Sequence, residues 1–349
     1  MTVTDVLTGK QQWGIFQGDR LESVRQLPDD SIDLIVTSPP YEKARTYGID
    51  FSLRGQAWVD WMIEPWAEWQ RVCKGLIVCV CEGQTRGRRW SAVPALLMAD
   101  LHRAGFNLRK PPIFQRVGIP GSGGKRADHA HHGGSADWLR NDYEFIICTS
   151  RPGLLPWADT LANGHKPKWA PGGEMSNRNT NGTRRNQWAG GELSSGGERQ
   201  THGERRPAGR PSHALATRRR LGRGNEKGTC GRRISRGHAN GDATTSDSYD
   251  PPAIANPGNV IKAIVGGGVM GDKECHENEA PFPEKLAEFF VRAFCPAGGL
   301  VLDPFSGSGT TVAVAVKMLR RGLGFDIRQS QVALGRRRLS GITPAALVE

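Results

Sequence analysis

The chain has 349 residues and a formal charge of +12, from 47 Lys and Arg against 35 Asp and Glu. This length suits one large domain or two ordinary ones, and the basic surplus favours a polyanionic partner such as nucleic acid. Seven cysteines without a CxxC pair exclude a cysteine zinc site and a disulfide scaffold as working hypotheses. No stretch approaches ~18 apolar residues, and the first residues lack an apolar core, so we expect neither a membrane span nor a secretion signal.

Apolar runs of strand length alternate with helical spacing of apolar residues. In the first part of the chain, they predict strands at residues 13–17, 32–36, 76–81 and 143–149 and helices at residues 21–27, 58–73 and 92–104. In the last part, they predict strands at residues 300–302 and 322–325 and helices at residues 286–294, 310–320 and 329–339. Strands that alternate with helices indicate an α/β fold with a parallel sheet.

Residues 161–255 have a different composition, in which Gly, Asn, Arg and Ser replace the apolar residues. Such a segment cannot bury enough apolar area to offset the entropy lost on ordering. We expect either a flexible insertion or a region that orders on a polyanion, where runs such as Arg218-Arg219-Arg220 would contact phosphates. The sequence therefore divides into a folded domain, residues 1–160 with 256–349, and an insertion.

A short polar motif directly follows the predicted strand at residues 32–36. It reads Thr37-Ser38-Pro39-Pro40-Tyr41. A rigid Pro-Pro corner at a strand end gathers a hydroxyl, backbone carbonyls and an aromatic ring at one spot. These groups can hold a flat ring that carries an amino group and present its nitrogen to an electrophile. The alternative is a strand that ends in a stiff turn, with the Tyr41 ring packed in the core.

A glycine-rich loop follows the predicted strand at residues 300–302. It reads Asp303-Pro304-Phe305-Ser306-Gly307-Ser308-Gly309-Thr310-Thr311. Strand, loop and helix in this order bind nucleotide-like ligands at the carboxyl edge of a sheet. Asp303 could accept a hydrogen bond from a cationic amino group, and Asp326, at the next strand end, could bind the hydroxyls of a ribose. A merely tight turn is the alternative.

Two other nucleotide-binding classes fit this loop less well. A P-loop is excluded because no Lys follows the glycines of the loop. A nicotinamide enzyme is compatible with the loop taken by itself. It leaves the motif at residues 37–41 unexplained.

Together, the two motifs resemble those of the β group of DNA amino-methyltransferases, which use S-adenosylmethionine (SAM) to methylate N4 of cytosine or N6 of adenine. Their order, with the catalytic motif first and the cofactor loop last, is that of the β group, whose fold is circularly permuted. Gly18-Asp19 is similar to the family's acidic contact near the SAM adenine, and residues 141–147 and 280–286 resemble further family segments. Related sequences often carry His-Pro where this chain has Asn278-Glu279.

The resemblance covers roughly residues 13–155 and 256–340 and implies a Rossmann-like methyltransferase fold. We therefore expect a mixed, mostly parallel sheet with helices on both faces. The insertion falls where the family's target-recognition region is expected. The resemblance implies catalytic roles for Ser38, Pro39, Pro40 and Tyr41. It implies cofactor binding by Asp19, Thr37, Phe282, Asp303, Pro304, Phe305, Ser306, Gly307, Ser308, Gly309, Thr310, Thr311 and Asp326.

The chemistry that the resemblance implies needs positioning more than a nucleophile from the protein. An exocyclic amine is a poor nucleophile because its lone pair is delocalised into the ring. Hydrogen bonds from its N–H groups to Ser38 Oγ and the Pro39 carbonyl would localise the lone pair and direct it at the SAM methyl. Tyr41 would stack on the base, which must leave the duplex. We expect no metal, since His129, His131 and His132 fit a polar glycine-rich loop better than a metal site.

These expectations amount to a site-specific DNA methyltransferase, with N4 of cytosine favoured because Ser is commoner at the first motif position in N4-cytosine enzymes. Methylation of N6 of adenine is the alternative, and the same chemistry on RNA or protein is a further one. A catalytically silent DNA-binding protein is an alternative of a different class, against which the intact Ser38, Asp303 and Asp326 argue.

The expected partner is double-stranded DNA, and no membrane is expected. A homodimer and a companion restriction enzyme are both compatible with the resemblance. We expect a cytoplasmic protein of a bacterium, or of the host cytoplasm if a phage encodes it. The amino-acid sequence does not reveal the DNA sequence that is recognised.

Overall fold

The computed structural model describes residues 1–42, 51–86, 89–118, 141–167, 253–265, 270–278 and 283–342. The chain divides into two units, one of Met1–His165 with Asn256–Glu349 and the other of Lys166–Ala255. Most of the second unit, and with it most of the predicted insertion at 161–255, lies outside the described residues. All helices and strands of the described residues belong to the first unit. In the described ranges, no helix is both long enough and apolar enough to cross a bilayer.

The elements of this unit follow one another as strands and helices, with a stretch of consecutive strands in the middle. The strands are β1 (Trp13–Gln17), β2 (Ile32–Thr37), β3 (Cys73–Cys81), β4 (Thr85–Arg86), β5 (Arg89–Trp90), β6 (Asn107–Leu108), β7 (Ile113–Val117), β8 (Tyr143–Ser150), β9 (Val260–Ile264), β10 (Leu300–Asp303) and β11 (Arg321–Asp326). The helices are α1 (Val3–Leu7), α2 (Glu22–Arg25), α3 (Gln56–Ile63), α4 (Trp66–Val72), α5 (Val93–Arg103), α6 (Glu284–Phe294), α7 (Thr310–Lys317) and α8 (Gln329–Ser340). Short 3₁₀ turns lie at Thr160–Asn163 and Lys273–Glu277.

Among the described residues, nine strands form one mixed sheet in the order β1-β11-β10-β2-β3-β8-β7-β9, with β6 beside β8. The pairs from β1 through β3 are parallel, and so is β7 with β9. Strand β8 runs antiparallel to β3, β6 and β7. The prediction of a mixed, mostly parallel sheet is therefore confirmed. The simpler expectation of a parallel sheet is wrong at β8, because consecutive strands β6, β7 and β8 replace a βαβ crossover there.

Helices cover both faces of the sheet. Successive residues of a strand point to opposite faces, and in β2 the side chain of Ile35 packs with α3, α4 and α5 while Leu34 and Val36 pack with α6 and α7. All three side chains are fully buried. Burial on both faces explains why β2 and β3 are continuous apolar runs without polar alternation.

The helix predicted at residues 58–73 is two helices in the structure. Pro65 separates α3 from α4 because proline has no N–H to continue the helical hydrogen bonds, and its ring clashes with the preceding turn. Cys73 belongs to β3 and is not the last residue of the helix. The helix predicted at 310–320 ends at Lys317, since Leu319 adopts a left-handed backbone with φ of 61°.

The sheet brings the two polar motifs together. Strands β10 and β2 are parallel neighbours, with Val301 opposite Leu34 and Leu302 opposite Ile35. The loops that follow β10 and β2 therefore leave the same edge of the sheet side by side. Strands β1, β11 and β3 end at this edge as well, and the carboxyl edge of a parallel sheet is where ligands bind in α/β folds.

Candidate active site

A cavity of about 670 Å³ opens at this carboxyl edge. Both polar motifs line it, together with the ends of β1 and β11. Of the residues predicted for the site, those that line the cavity are Asp19, Ser38, Pro39, Pro40, Tyr41, Pro304, Phe305, Ser306, Gly307, Ser308, Thr310 and Asp326. Buried behind its wall are Thr37, Asp303, Gly309 and Thr311. Phe282 lies outside the described residues.

Asp303 fastens the two motifs to each other. Its Oδ1 accepts a hydrogen bond of 2.6 Å from Thr37 Oγ1, 266 residues away in the chain, and one of 3.1 Å from Phe305 N. The side chain is only 1% exposed, and burial raises its pKa to about 6 despite these hydrogen bonds. Asp303 is placed to hold the first turn of the loop and the end of β2 in one geometry.

Asp326 shapes the glycine-rich loop from the end of β11. One carboxylate oxygen accepts from Gly307 N at 2.9 Å and the other from Arg328 N at 2.9 Å. Burial raises the pKa of Asp326, although these hydrogen bonds and Arg328 oppose the shift. Each carboxylate oxygen can accept a second hydrogen bond. Asp326 lines the cavity, so a ligand hydroxyl can reach it there.

The glycine-rich loop requires glycine at two positions. Gly307 and Gly309 have φ of 48° and 75°, in the left-handed region that L side chains rarely adopt. A Cβ on Gly309 would also lie 2.6 Å from Ile15 Cδ1. The loop carries two hydroxyls, Ser306 Oγ and Ser308 Oγ, that are buried and have no hydrogen-bond partner within the described structure. Because unpaired buried polar groups are costly, these hydroxyls fit a ligand with polar groups.

An aromatic wall flanks the loop. The ring centroids of Phe305 and Trp61 are 5.5 Å apart, and those of Trp61 and Phe51 are 5.0 Å apart. The guanidinium carbon of Arg20 lies over the Trp61 ring, 4.1 Å from its centroid, and helps to fix the ring. Asp19 pairs with Arg20 at 3.1 Å. A wall of flat rings beside a carboxylate suits a planar heterocycle such as a purine.

The motif after β2 is held on two sides. Tyr41 OH donates a hydrogen bond of 2.8 Å to Glu144 Oε2, and Ser38 Oγ lies 3.4 Å from Tyr41 OH. Burial and the nearby Glu144 carboxylate raise the pKa of Tyr41 well above its usual value, so the phenol stays neutral. Trp58 Nε1 donates to the Pro40 carbonyl at 2.9 Å. These contacts fix the corner with the Ser38 hydroxyl at the cavity.

Five charged side chains in the cavity were not predicted from the sequence, namely Arg20, Glu82, Arg116, Glu144 and Arg328. Glu144 binds both Tyr41 and Arg116, the latter at 3.3 Å. Glu82 directly follows β3 at the same sheet edge as Ser38. Because β2 and β3 are adjacent parallel strands, the rule that ligands bind after strand ends could have identified Glu82. Glu144 had no such signal, because it lies within the antiparallel strand β8.

A cluster of four ionised side chains backs the glycine-rich loop. Arg338 of α8 pairs with Asp272 at 3.0 Å and Glu284 at 2.5 Å, and Lys317 of α7 pairs with both acids at 3.0 Å. Arg338 also donates to the Ser308 carbonyl at 3.3 Å. Its side chain is 1% exposed. We call these four residues the loop-side cluster, and they tie α6, α7, α8 and the segment that holds Asp272 to the loop.

The described residues hold no group of three or more His, Cys, Asp or Glu side chains that could bind a metal ion. The histidines at 129, 131 and 132 lie outside the described residues. The arrangement is therefore a mixed cavity of hydroxyls, carboxylates and aromatic rings, with a Gly-rich loop on one wall and the Ser-Pro-Pro-Tyr corner on another.

A glycine-rich loop on a cavity at the carboxyl edge of a mostly parallel sheet defines a nucleotide-binding class of α/β fold, and comparison with known proteins identifies the family. A family model described as DNA methylase, of the N6 and N4 methyltransferase type, matches residues 32–337. The chain belongs to this DNA methylase family. The resemblance of the two motifs to the amino-methyltransferases is thereby confirmed.

Individual relatives match over short stretches. The type II methyltransferase M.MjaI of Methanocaldococcus jannaschii is 39% identical over 66 residues, 18% of this chain and 22% of the relative. The DNA adenine methyltransferase YhdJ of Escherichia coli is 37% identical over 94 residues, 26% of this chain and 31% of the relative. The chain thus spans less than a third of either relative's length.

The fold is shared more widely than the sequence. The structure of the PvuII DNA methyltransferase, described as cytosine-N4-specific, superposes with a TM-score of 0.54 over 95% of this chain and 89% of that chain, at 18% identity. The sequence of M.PvuII from Proteus hauseri is 43% identical over 54 residues, 16% of each chain. The likeness in fold supports the expected class of a mixed sheet with a Rossmann-like arrangement.

Proposed function

We propose that the protein is a SAM-dependent DNA methyltransferase that methylates an exocyclic amine of a flipped base, N4 of cytosine in preference to N6 of adenine. The observation that carries the proposal is the 2.6 Å hydrogen bond from Thr37 Oγ1 to Asp303. This hydrogen bond joins the Ser-Pro-Pro-Tyr corner to the glycine-rich loop at one cavity, where a target amine and a nucleotide-like cofactor would meet. Membership in the DNA methylase family supports the same chemistry.

The residues on the loop side fit SAM. Asp326 and Asp19 offer carboxylates for hydroxyls and an adenine edge, and the wall of Phe305 and Trp61 offers a stacking surface. The unpaired Ser306 and Ser308 hydroxyls can bind a charged amino-acid end. When bound, SAM supplies an electrophilic methyl group. Thr37, Gly309 and Thr311 act from behind the wall, where they shape the loop.

The residues on the corner side fit a base with an amino group. Ser38 Oγ and the Pro39 carbonyl are acceptors for the two N–H groups, and Tyr41 offers a ring for stacking. Fixed acceptors localise the amine lone pair and need no reorganisation during reaction. The base must leave the duplex to reach a cavity that lies at the sheet edge. Duplex DNA is therefore the proposed partner, with residues 161–255 as the proposed recognition region.

The choice of N4 of cytosine rests on Ser38, the residue type that is commoner in N4-cytosine enzymes. The fold match to a protein described as cytosine-N4-specific points the same way. The matched stretch of YhdJ, described as a DNA adenine methyltransferase, keeps N6 of adenine as the second candidate. The Ser38 hydroxyl can accept a hydrogen bond from either amine, N4 of cytosine or N6 of adenine, although a neutral hydroxyl is a weaker acceptor than a carboxylate.

The test is transfer of tritiated methyl from SAM to unmethylated duplex DNA amplified by PCR from a bacterial genome, which contains every short sequence context. Nucleoside analysis of the product follows. We expect label in N4-methylcytosine. Label in N6-methyladenine would retain the mechanism and correct the base, while label in 5-methylcytosine, or on RNA or protein instead of DNA, would overturn the proposal.

A further inference from the structure

Glu82 has a buried carboxyl group, of which one oxygen accepts hydrogen bonds and the other has no hydrogen-bond partner in the described structure. Its Oε1 accepts hydrogen bonds from Gly83 N at 2.8 Å and from Trp90 Nε1 at 2.9 Å. Its Oε2 is buried and has no hydrogen-bond partner within the described structure. The residue is 8% exposed and lines the cavity. Two fixed donors on Oε1 lock the carboxyl in place, so its Oε2 is a positioned, unsatisfied group in the wall of the active site.

The register of the sheet sets Glu82 beside the catalytic corner. Thr37 of β2 is paired with Cys79 of β3, so β3 extends past the end of β2 and Glu82 lies alongside the Pro-Pro corner. On the other side of β3, Cys81 is paired with Phe145, which places Glu82 opposite Glu144. Glu82 thus stands between the strand that carries Ser38 and the strand that holds Tyr41.

Among the ionisable groups around Glu82 in the described structure, Glu82 itself is the one best suited to exchange a proton. Both oxygens of Glu144 are occupied, by Tyr41 OH and by Arg116. Burial raises the pKa of Glu82 to about 7, and the Glu144 carboxylate adds to the shift while Gly83, Trp90 and Arg116 oppose it. The neighbouring thiol of Cys81 is neutral, because a hydrogen bond with Cys79 and burial raise its pKa well above its usual value.

Amine methylation releases a proton, and Ser38 cannot take it up. A serine hydroxyl is a hydrogen-bond acceptor but a very weak base. Tyr41 is neutral and is itself a donor to Glu144. A chain with Ser in this motif therefore needs its proton acceptor elsewhere in the cavity.

We propose that the Glu82 carboxylate is the proton acceptor of the methyl-transfer reaction, receiving through Oε2 the proton that the target amine loses. This inference rests on the proposed function. As the amine lone pair forms the N–CH₃ bond, the S–CH₃ bond breaks and its electron pair remains on sulfur. The amine nitrogen, now positively charged, passes one proton to Glu82 and becomes a neutral methylamino group. The base gains CH₃ and loses H, and Glu82 returns its proton to solvent afterwards.

The test compares the wild type with Glu82→Gln in methyl transfer to unmethylated PCR-amplified bacterial genomic DNA at saturating SAM, between pH 5.5 and 9. The expected kcat of the wild type rises with pH and levels off above about 7, because only the ionised carboxylate accepts a proton. We expect kcat of Glu82→Gln to fall about 10²-fold or more and to lose this rise. Gln keeps an oxygen for Trp90 and Gly83, so SAM affinity and the circular dichroism spectrum should stay unchanged.

A matched control is Glu22→Gln, which removes a carboxylate that is 65% exposed and that, among the described residues, forms an ion pair only with Arg25. Because Glu22 is exposed, we expect Glu22→Gln to retain the wild-type kcat and pH profile. A Glu82→Gln variant with wild-type kcat, or with the same rise of kcat near pH 7, would overturn the inference. If the wild type itself methylates no DNA, the proposed function fails first, and the two failures are thereby distinguishable.

A second variant, Glu82→Ala, distinguishes loss of the proton acceptor from a folding defect caused by Glu82→Gln. Glu82→Ala in the presence of sodium formate should regain activity, because a small carboxylate can enter the space that the side chain leaves. The rise of kcat should then move to lower pH, toward the lower pKa of formate. Full activity of Glu82→Ala without formate would contradict a proton-accepting role as directly as an active Glu82→Gln.

Discussion

Two clusters of charged residues flank the cavity, and they differ in their charge balance. The loop-side cluster has two acids and two bases, all paired. The cluster beside the Ser-Pro-Pro-Tyr corner, which we call the corner-side cluster, has two carboxylates, Glu82 and Glu144, for one guanidinium, that of Arg116. The balanced cluster holds the glycine-rich loop in place. The unbalanced one keeps a carboxyl that titrates near neutral pH.

The pKa values express the same difference. Burial would raise the pKa of Asp272, but hydrogen bonds from Lys317 and Arg338 outweigh it and lower the pKa below its usual value. Burial raises the pKa of Glu82 to about 7, since its donors are neutral groups. A buried carboxylate beside cations stays ionised and structural, whereas one that faces another carboxylate is available for proton transfer.

The largest expected effect separates the two walls of the cavity. Ser38→Ala removes an acceptor for the target amine, so we expect kcat to fall by about 10²- to 10³-fold while SAM binding is retained. Asp326→Ala removes the acceptor for Gly307 N and a carboxylate from the cavity, so we expect SAM binding to weaken much more. Calorimetric titration with SAM measures both variants. Superimposable titration curves for the two variants would contradict this division of roles.

The next effect concerns the balanced cluster. Arg338→Met leaves Asp272 and Glu284 with Lys317 alone, and loss of one partner of a buried ion pair costs about 3 to 4 kcal/mol of unfolding free energy. The matched control is Arg337→Met on the same helix, which breaks an exposed pair with Glu277 and should change stability by less than about 1 kcal/mol. Urea unfolding followed by circular dichroism measures both. Equal midpoints would show that the cluster does not support the fold.

The fold was largely predictable from the sequence, and the reasons are local. Continuous apolar runs such as β3 are long enough to identify a strand buried on both faces. The helix boundary at Pro65 has a local cause as well, because proline ends helices for a covalent reason. Strands β7 and β9 escaped prediction because each mixes polar and apolar residues, and because their pairing joins residues more than 140 positions apart, such as Ile113 with Val260.

The residues of the site were predictable from the sequence only where they form a contiguous motif. The residues at 37–41 and 303–311 are contiguous and sit at strand ends, so their chemistry could be inferred. The loop-side cluster could not, because Asp272, Glu284, Lys317 and Arg338 are scattered over 67 positions and meet only through packing. The hydrogen bond from Thr37 Oγ1 to Asp303 Oδ1 could not be predicted for the same reason. Side-chain hydrogen bonds across the sheet leave no periodic signal in the sequence.

A smaller effect tests whether the corner-side cluster is unbalanced in the folded protein. Glu82 holds its proton up to about pH 7 when folded, against a usual carboxyl pKa of 4.5. Its ionisation is therefore disfavoured by folding, and the wild type should lose stability relative to Glu82→Gln as pH rises from 4.5 to 7. The difference should reach up to about 3 kcal/mol, at about 1.4 kcal/mol per pKa unit. Urea midpoints at pH 5 and pH 8 measure it, and a pH-independent difference would show that Glu82 is not buried as an acid.

The smallest expected effect comes from the link between Tyr41 and Glu144. Tyr41→Phe keeps the stacking ring but removes the O–H that donates to Glu144 Oε2. Loss of one such hydrogen bond is worth about 1 kcal/mol, so kcat should fall about five-fold. The control is Tyr143→Phe, which changes a Tyr that is 40% exposed on the same strand as Glu144 and should leave kcat unchanged.

The pH profile of Tyr41→Phe distinguishes a positioning effect from an electrostatic one. Without the phenol, the negative charge of Glu144 is less compensated, and a less compensated carboxylate opposite Glu82 favours the protonated form of Glu82. The rise of kcat with pH should therefore move to higher pH in Tyr41→Phe and should be absent in the Tyr41→Phe, Glu82→Gln double variant. A shift to lower pH would mean that the two carboxylates do not sense each other. An unshifted rise would mean that Tyr41 only positions Ser38, and that the excess negative charge of the corner-side cluster does not set the pH at which the site works.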